Sequence, residues 1–286
     1  RMEELYVWVV IMLLLLAKLC LIIVSGVGWD MKKFKVCTII SCFYDMPDPN
    51  GFVADVKKAM AEDGIIVIQQ NYVGAMILNN ALCNLVHEHL EYYSLVSLEN
   101  LLQSHALEVY KIILNDINGG SLLTFICHKG KRKIEDSVLA LRESERQLHL
   151  DTKEPYEKFA SRLEAIKKKI QSFFEVAIVD DKKIMAYGAS TRGNTLLQYF
   201  GLDSKVIVAA VERNEWKWGK FIASTGIPIV SEDEMRKNPP DVLFICPWFF
   251  KAEFIQREKE YLDNGGTMLF PMPTPVIVTK DGEYQL

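Results

Sequence analysis

Residues 86–94 read Val-His-Glu-His-Leu-Glu-Tyr-Tyr-Ser, which puts two imidazoles, two carboxylates, two phenols and a hydroxyl into nine positions. An imidazole titrates close to neutrality, so His87 or His89 can take a proton at physiological pH with little tuning. Glu88 can orient a neighbouring imidazole or accept from a substrate hydroxyl, and the cluster as a whole suits a polyhydroxylated ligand. Two other readings stay open on the residues alone. A metal centre would draw on Cys83, His87 and His89, but the histidines are closer together than a helical His-Glu-x-x-His pair and no fourth ligand stands nearby. A solvated loop with two tyrosines packed on the core needs no function at all.

The chain around this cluster has 286 residues, half of them hydrophobic, enough for two compact domains. A net charge of -4 argues against a nucleic-acid partner, which needs a basic face. The six cysteines (Cys20, Cys37, Cys42, Cys83, Cys127 and Cys246) form no C-x-x-C pair and read as reduced structural thiols of a cytoplasmic protein.

Leu5–Val27 is almost wholly apolar, interrupted by Lys18, and is long enough to span a bilayer. Glu3 and Glu4 precede it and Lys32, Lys33 and Lys35 follow, so an inserted helix would leave the rest of the chain in the cytoplasm. A second reading makes Leu21–Val24 a strand and Ser25-Gly26-Val27-Gly28 the remnant of a glycine-rich loop, although no acidic residue follows at ribose-binding spacing.

From Lys35 onward strands and helices alternate. Val36–Cys42 reads as a strand, a helix entered near Pro49 is expected to stop at Asp63-Gly64, and Ile65–Ile68 reads as a buried strand. Asn71 and Tyr72 follow it, where ligands approach open α/β sheets, with core packing the plain alternative for Tyr72. Ser97 is expected to cap the helix ending near His105. Val109–Asn115 and Ser121–Cys127 read as an antiparallel pair joined across Asp116–Gly120, whose glycines permit close approach of a ligand. Ser137–Phe174 is expected to be helical with a break near Thr152–Pro155, and to pack against domains on both sides.

Lys183–Tyr187 opens a second α/β unit, followed by Gly188-Ala189-Ser190-Thr191-Arg192-Gly193-Asn194 and a helix. A loop feeding a helix N-terminus is an anion site in the making, with Ser190, Arg192, Gly193 and Asn194 as its residues, and Glu212 is spaced to hold a ribose hydroxyl. The loop is neither Gly-x-Gly-x-x-Gly nor a Walker loop, which argues against a nicotinamide enzyme.

His87-Glu88-His89-Leu90-Glu91-Tyr92-Tyr93-Ser94-Leu95, followed by a helix and by Asn118-Gly119-Gly120-Ser121, resembles the C-methyltransferases that use S-adenosyl-L-methionine (SAM) on nucleotide-linked keto-sugars. Gly188–Ser190, Gly193–Asn194, Lys217–Gly219 and Ile227–Ile229 are similar to landmarks of that family's C-terminal domain, and the resemblance spans roughly residues 36 to 286. It implies an α/β chain: a partial class I SAM-methyltransferase (Rossmann-like) sheet over 35–130, a helical connector over 131–180 and a second Rossmann-like α/β domain over 181–286. It implies SAM as cofactor and a nucleotide-linked sugar as substrate. It makes His89 the base, with Glu88 and Tyr93 positioning substrate and His87, Asn71, Tyr72, Gly120, Ser121 and the second-domain loop contributing to binding. Leu123 stands where the family usually has arginine, Val86 where it often has tyrosine, and Ala223-Ser224 where it has Pro-Gly.

The family's SAM-binding strands occupy scores of residues before the one that Lys35–Cys42 resembles. Residues 1–34 are therefore expected to be the product of truncation or misreading rather than an evolved anchor, and the chain as given is expected to bind SAM weakly or not at all. The reading from a different class is a non-catalytic sugar-nucleotide-binding remnant, tethered to a membrane by residues 5–27.

Overall fold

The computed structural model describes residues 7–10 and 33–286. The glycine-loop reading of Ser25–Gly28 lies outside the described residues. Of the apolar N-terminal stretch, Val7–Val10 is described, and it forms strand β1 rather than a turn of helix. Its backbone pairs in parallel with Val36–Ile39, so a continuous spanning helix from Leu5 does not hold over these four residues. Among the described residues no helix is long and apolar enough to cross a membrane.

The chain forms two compact units. The first contains Arg1–Met76 and His87–Pro155, the second Ile77–Val86 and Tyr156–Leu286.

In the first unit, β2 (Phe34–Ile40) leads through α1 (Pro49–Ala59) to β3 (Met60–Asn71). Asp48 caps α1 by accepting from the Gly51 N–H at 2.9 Å, and Pro49 occupies the first turn, where its missing N–H costs nothing. Val53 and Val56 turn into the core. The helix ends at Ala59, earlier than the expected stop at Asp63-Gly64. Met60 already pairs with Phe34, and the register then slips before Val36 meets Ile65. The slip brings Gly64 so close to the Phe34 carbonyl that a Cβ there would lie 2.9 Å from it. Glycine is thus needed for strand approach, not for helix termination.

After a short helix α2 (Val73–Leu78) come α3 (Leu95–Ser104), β4 (Leu107–Asn115) and β5 (Ser121–His128). The helix α3 begins ahead of Ser97. Ser94 is its cap, accepting from the Ser97 N–H at 3.1 Å, while the Ser97 hydroxyl accepts from the Ser94 N–H at 2.9 Å. The earlier serine wins because two orphan N–H groups are satisfied by one reciprocal pair. The sheet order is β1-β2-β3-β5-β4, parallel through β3 and antiparallel across the β4–β5 hairpin. This is a mixed α/β sheet, parallel at one side and closed by an antiparallel hairpin at the other.

The helical connector is shared between the units: α4 (Asp136–Gln147) lies in the first and nearly all of α5 (Glu154–Val179) in the second. Val138 and Leu141 of α4 join the first core, whereas Phe174 of α5 packs on Phe244 with ring centroids 5.9 Å apart.

The second unit continues with β6 (Ile184–Tyr187), α6 (Thr191–Phe200), β7 (Ala209–Val211), β8 (Ile229–Val230) and α7 (Glu232–Lys237). It ends with β9 (Val242–Ile245), α8 (Lys251–Arg257), α9 (Lys259–Asp263), β10 (Thr267–Phe270), β11 (Val276–Thr279) and β12 (Gly282–Gln285). The strand order is β12-β11-β10-β9-β6-β7-β8, with β10 to β8 parallel and the last two strands antiparallel. Chain order reverses between β6 and β9, which makes this a Rossmann-like sheet with its switch point there. β7 is shorter than the expected Val206–Val211, because Val206 and Ile207 donate their N–H groups to the Asp203 carbonyl in a turn.

Candidate functional site

The turn Phe43–Asp45 follows β2 and meets the histidine cluster. The Tyr44 carbonyl accepts from the N–H groups of both Leu90 (2.9 Å) and Glu91 (3.0 Å). The His89 ring lies against the Tyr44 ring, centroids 4.3 Å apart and planes inclined at 53°. Tyr92 approaches His89 edge-on at 6.4 Å. His89 is therefore partly buried between two phenol rings, whereas the His87 side chain is 88% exposed. Glu88 sides with His87: its Oε2 lies 3.2 Å from His87 Nδ1.

Tyr93 is buried, with its ring 5.3 Å from that of Phe43. Its hydroxyl has no hydrogen-bond partner among the described residues. Burial, with help from the Glu91 charge, holds the phenol far above its ordinary range, so it remains a donor at any physiological pH. The end of β3 is tied to the same place, because the Val73 N–H donates to the Tyr93 carbonyl at 3.1 Å.

Asn71 stands opposite Ser121 in the β3–β5 ladder, and its Nδ2 is buried without a partner among the described residues. The Tyr72 N–H donates to the Gly120 carbonyl at 3.2 Å, and Gly120 adopts φ +127°, a conformation only glycine takes easily. The Ser121 hydroxyl is used locally, donating to the Ile117 carbonyl at 2.8 Å. Tyr72 belongs to the apolar core, with its hydroxyl beside Glu145.

Three residues of this region went unread in the sequence. Tyr44 and Asp45 sit in the turn against which His89 packs; the sequence marks a turn opening at Asp45, but nothing local pairs it with the histidines. Gln70 is 1% exposed, and neither atom of its amide has a hydrogen-bond partner among the described residues. The available signal was a glutamine in phase with Ile66 and Ile68 on an inward-facing strand.

Among the described residues no group of three or more His, Cys, Asp or Glu is arranged to hold a metal ion. Cys83 is fully buried and grouped with the second unit, apart from the histidines assigned to the first.

In the second unit the helix α6 starts as expected, with the Ser190 hydroxyl accepting from the Gly193 N–H at 3.1 Å. A Cβ at Gly193 would lie 2.8 Å from the Gly188 carbonyl and 3.1 Å from the Cys246 Cβ, so glycine lets the helix close onto the switch point. Arg192 Nε donates to Asn84 Oδ1 at 3.0 Å. Asn194 Oδ1 is buried without a partner among the described residues. Glu212 reaches the loop, and its oxygens are engaged there by protein groups. Oε1 accepts from the N–H groups of Arg213 (2.9 Å) and Asn214 (3.1 Å), and Oε2 from the Ala189 N–H (3.3 Å) and Lys217 Nζ (3.1 Å). Burial pushes this carboxyl up, but the Asn214 N–H and Lys217 outweigh it and hold the pKa below the ordinary value.

The structure thus gathers His87, Glu88, His89 and Tyr93 with Asn71, Tyr72, Gly120 and Ser121 in one unit, and Ser190, Arg192, Gly193, Asn194 and Glu212 in the other.

A mixed sheet closed by a hairpin and a Rossmann-like sheet in one chain define a two-unit α/β protein. The chain belongs to the C-methyltransferase family: the model of the C-methyltransferase C-terminal domain matches residues 116–273, more than half of its length. It is similar to C-methyltransferase NovU of Streptomyces niveus, with 30% identity over 241 residues that cover 84% of this chain and 57% of that protein. The chain therefore spans a little over half the length of this curated relative. Among solved structures it is similar to LepI in complex with SAM (12% identity, 35% of this chain and 28% of that one, TM-score 0.28). It is also similar to the plantazolicin methyltransferase BpumL in complex with a desmethyl analogue and SAH (14% identity, 37% of this chain and 57% of that one, TM-score 0.28).

Proposed function

We propose that this chain serves a SAM-dependent C-methyltransferase that adds a methyl group to the carbon beside the keto group of a nucleotide-linked sugar. The observation that carries this reading is His89, held between Tyr44 and Tyr92 at the C-terminal ends of β2 and β3, in a chain of this family.

His89 takes the proton α to the carbonyl. The Tyr93 hydroxyl, buried and without a partner among the described residues, donates to the enolate oxygen as charge develops there. Glu88, paired with His87, contributes a polar wall for sugar hydroxyls. SAM supplies an electrophilic methyl when bound. Of the described residues, the turn Phe43–Asp45 is the one suited to border it, since it follows a parallel strand and touches His89. The described residues fit one side of the cofactor alone.

The test is exchange of the sugar α-proton with deuterated solvent, using a panel of nucleoside-diphosphate keto-hexoses. His89→Ala should lower the rate about 10²–10⁴-fold, the range for a lost general base, while His87→Ala retains it. Normal exchange in His89→Ala removes that residue as base. A wild-type chain that binds the panel but exchanges no proton supports the non-catalytic binding role instead.

A further inference from the structure

Glu212 follows β7, and the chain after it passes through Asn214 into a single 3-10 turn, Glu215–Lys217. Main-chain and side-chain bonds fix this loop on both sides. Asn214 Oδ1 accepts from the Trp216 N–H at 3.1 Å, and the Trp218 indole Nε1 donates to the Glu212 carbonyl at 2.7 Å. Lys217 Nζ donates to the Ala189 carbonyl at 3.0 Å and to Glu212 Oε2 at 3.1 Å. Gly219, in the left-handed region at φ +72°, donates its N–H to the Ile229 carbonyl at 3.0 Å, and the Lys220 carbonyl accepts from the Ile229 N–H at 2.8 Å. The Glu212 carboxylate is spent on holding this frame.

A frame so well bonded nevertheless presents its largest apolar groups to water. Trp216 is 77% exposed, Phe221 67% and Trp218 43%. Single exposed apolar side chains are ordinary, but three aromatic rings within six residues of one bonded loop form a patch of the kind that marks an interaction site. Trp218 shows what kind of site. Its indole N–H is already used within the loop, so the polar edge is pinned while much of the ring stays in water. A pinned ring gives up little rotamer freedom when something stacks on it. Cations share the loop: Arg213, with Nε 3.8 Å from Glu232 Oε1, and Lys220 are both exposed. The loop follows the carboxyl end of β7, the end at which doubly wound sheets take their ligands, and Lys217 ties it to Ala189 of the loop that feeds α6.

We propose that Trp216 and Trp218 form a stacking platform for the base of a nucleoside diphosphate, with Arg213 and Lys220 meeting its phosphates. The platform lies wholly within the second unit. Rings beside cations are the combination that suits a nucleotide: every base offers a π-face to stack, and the phosphates carry charge that basic side chains offset. Stacking asks little of base identity, so the platform fixes the class of ligand and leaves the choice among bases to other contacts. The inference rests on the reading that the substrate is nucleotide-linked, and the same chemistry serves the nucleotide end of that substrate or a free nucleoside diphosphate.

The experiment is calorimetric titration of the full chain with uridine, thymidine and adenosine diphosphates, and with inorganic pyrophosphate and a hexose phosphate as ligands that lack a base. Trp216→Ala and Trp218→Ala should each weaken diphosphate binding about 5-fold to 150-fold, the range for one lost base–aromatic stack, and leave the two baseless ligands unchanged. Trp216→Tyr and Trp218→Phe keep a ring and should restore most of the affinity. A urea midpoint close to that of the wild type shows that Trp216→Ala keeps its fold. No diphosphate binding by the wild type, or unchanged affinity in both alanine variants, would overturn the platform. Equal losses for the hexose phosphate would make the rings a sugar-stacking surface and overturn it too. So would self-association in sedimentation that Trp216→Ala abolishes while diphosphate affinity stays intact, because the patch would then be an interface between copies. Keto-hexose-linked diphosphates separate the two sources of the ligand. Equal losses assign the platform to the nucleotide end of the substrate; losses confined to free diphosphates keep the platform and overturn its link to the substrate. Platform-dependent binding without α-proton exchange ends the proposed reaction and keeps the platform, whereas exchange with unchanged binding in the alanine variants does the reverse.

Discussion

The His89 imidazole rests on the Tyr44 ring with centroids 4.3 Å apart, and the Tyr44 carbonyl accepts the N–H groups of the two residues that follow His89. One residue of the turn after β2 therefore fixes both the ring and the backbone of the candidate base. That double hold separates His89 from His87, whose side chain stands in solvent.

Tyr44→Leu keeps an apolar side chain in a buried position but removes the ring partner of His89. The lost aromatic pair should cost about 0.5–1.5 kcal/mol of stability, and α-proton exchange should fall by about 10-fold or more as the imidazole gains freedom. Tyr44→Phe should restore both. Urea titration and the exchange assay together check this, and an unchanged rate in Tyr44→Leu would show that the stack does not position the base.

Tyr93→Phe removes a buried hydroxyl that bonds to nothing described in the protein, while the ring stays against Phe43. Stability should hold or rise by about 1 kcal/mol, because an unpaired polar group leaves the interior. Turnover should fall about 10²–10³-fold if the hydroxyl serves the enolate. A clear loss of stability would mean instead that the hydroxyl is bonded within the fold.

Gln70→Met replaces a buried amide, unpaired among the described residues, with an apolar side chain of similar length. The variant should gain about 1–3 kcal/mol, read as a higher urea midpoint at constant slope. Such a gain, accompanied by weaker binding of keto-sugar nucleotides, would mark Gln70 as a ligand contact kept at the expense of stability. A lower midpoint would show the amide to be satisfied by ordered water.

Glu145 is a buried carboxylate that accepts from the Leu95 N–H at 2.6 Å and the Val96 N–H at 3.1 Å, at the N-terminus of α3. Burial raises its pKa above 4.5, and the two backbone hydrogen bonds offset that only in part. In the window between 4.5 and the raised value the folded state binds more protons than the unfolded one, so this group's contribution to stability declines as pH rises. Denaturation of the wild type and of Glu145→Gln at several pH values from about 4 upward checks the sign. The stability of the wild type relative to the variant should fall with rising pH, by at most about 1.4 kcal/mol per unit; a rise would reverse the assignment.

Short-range signals located much of the fold. Pro49, the serine preceding Thr191, the glycines of 116–120 and the period-two runs around Ile66 and Leu122 each constrain a few neighbouring φ/ψ angles, and those constraints survive in any tertiary setting. The helix boundaries at Ala59 and Ser94 were misplaced because they depend on partners beyond the local window: Phe34 across the sheet in one case, a choice between two serines in the other.

The sequence by itself determined the α/β alternation, the reversed hairpin, the landmarks of the C-terminal domain and the histidine cluster, because residue type and spacing along the chain carry all of these. The tertiary structure alone decided that Tyr44 meets His89, that Glu88 sides with His87, that Gln70 is buried without a partner among the described residues, and that residues 77–86 pack with the second unit. Periodicity says which way a side chain points. What it meets there comes from another part of the chain, brought in by packing of the whole core, and no spacing rule along one segment records it.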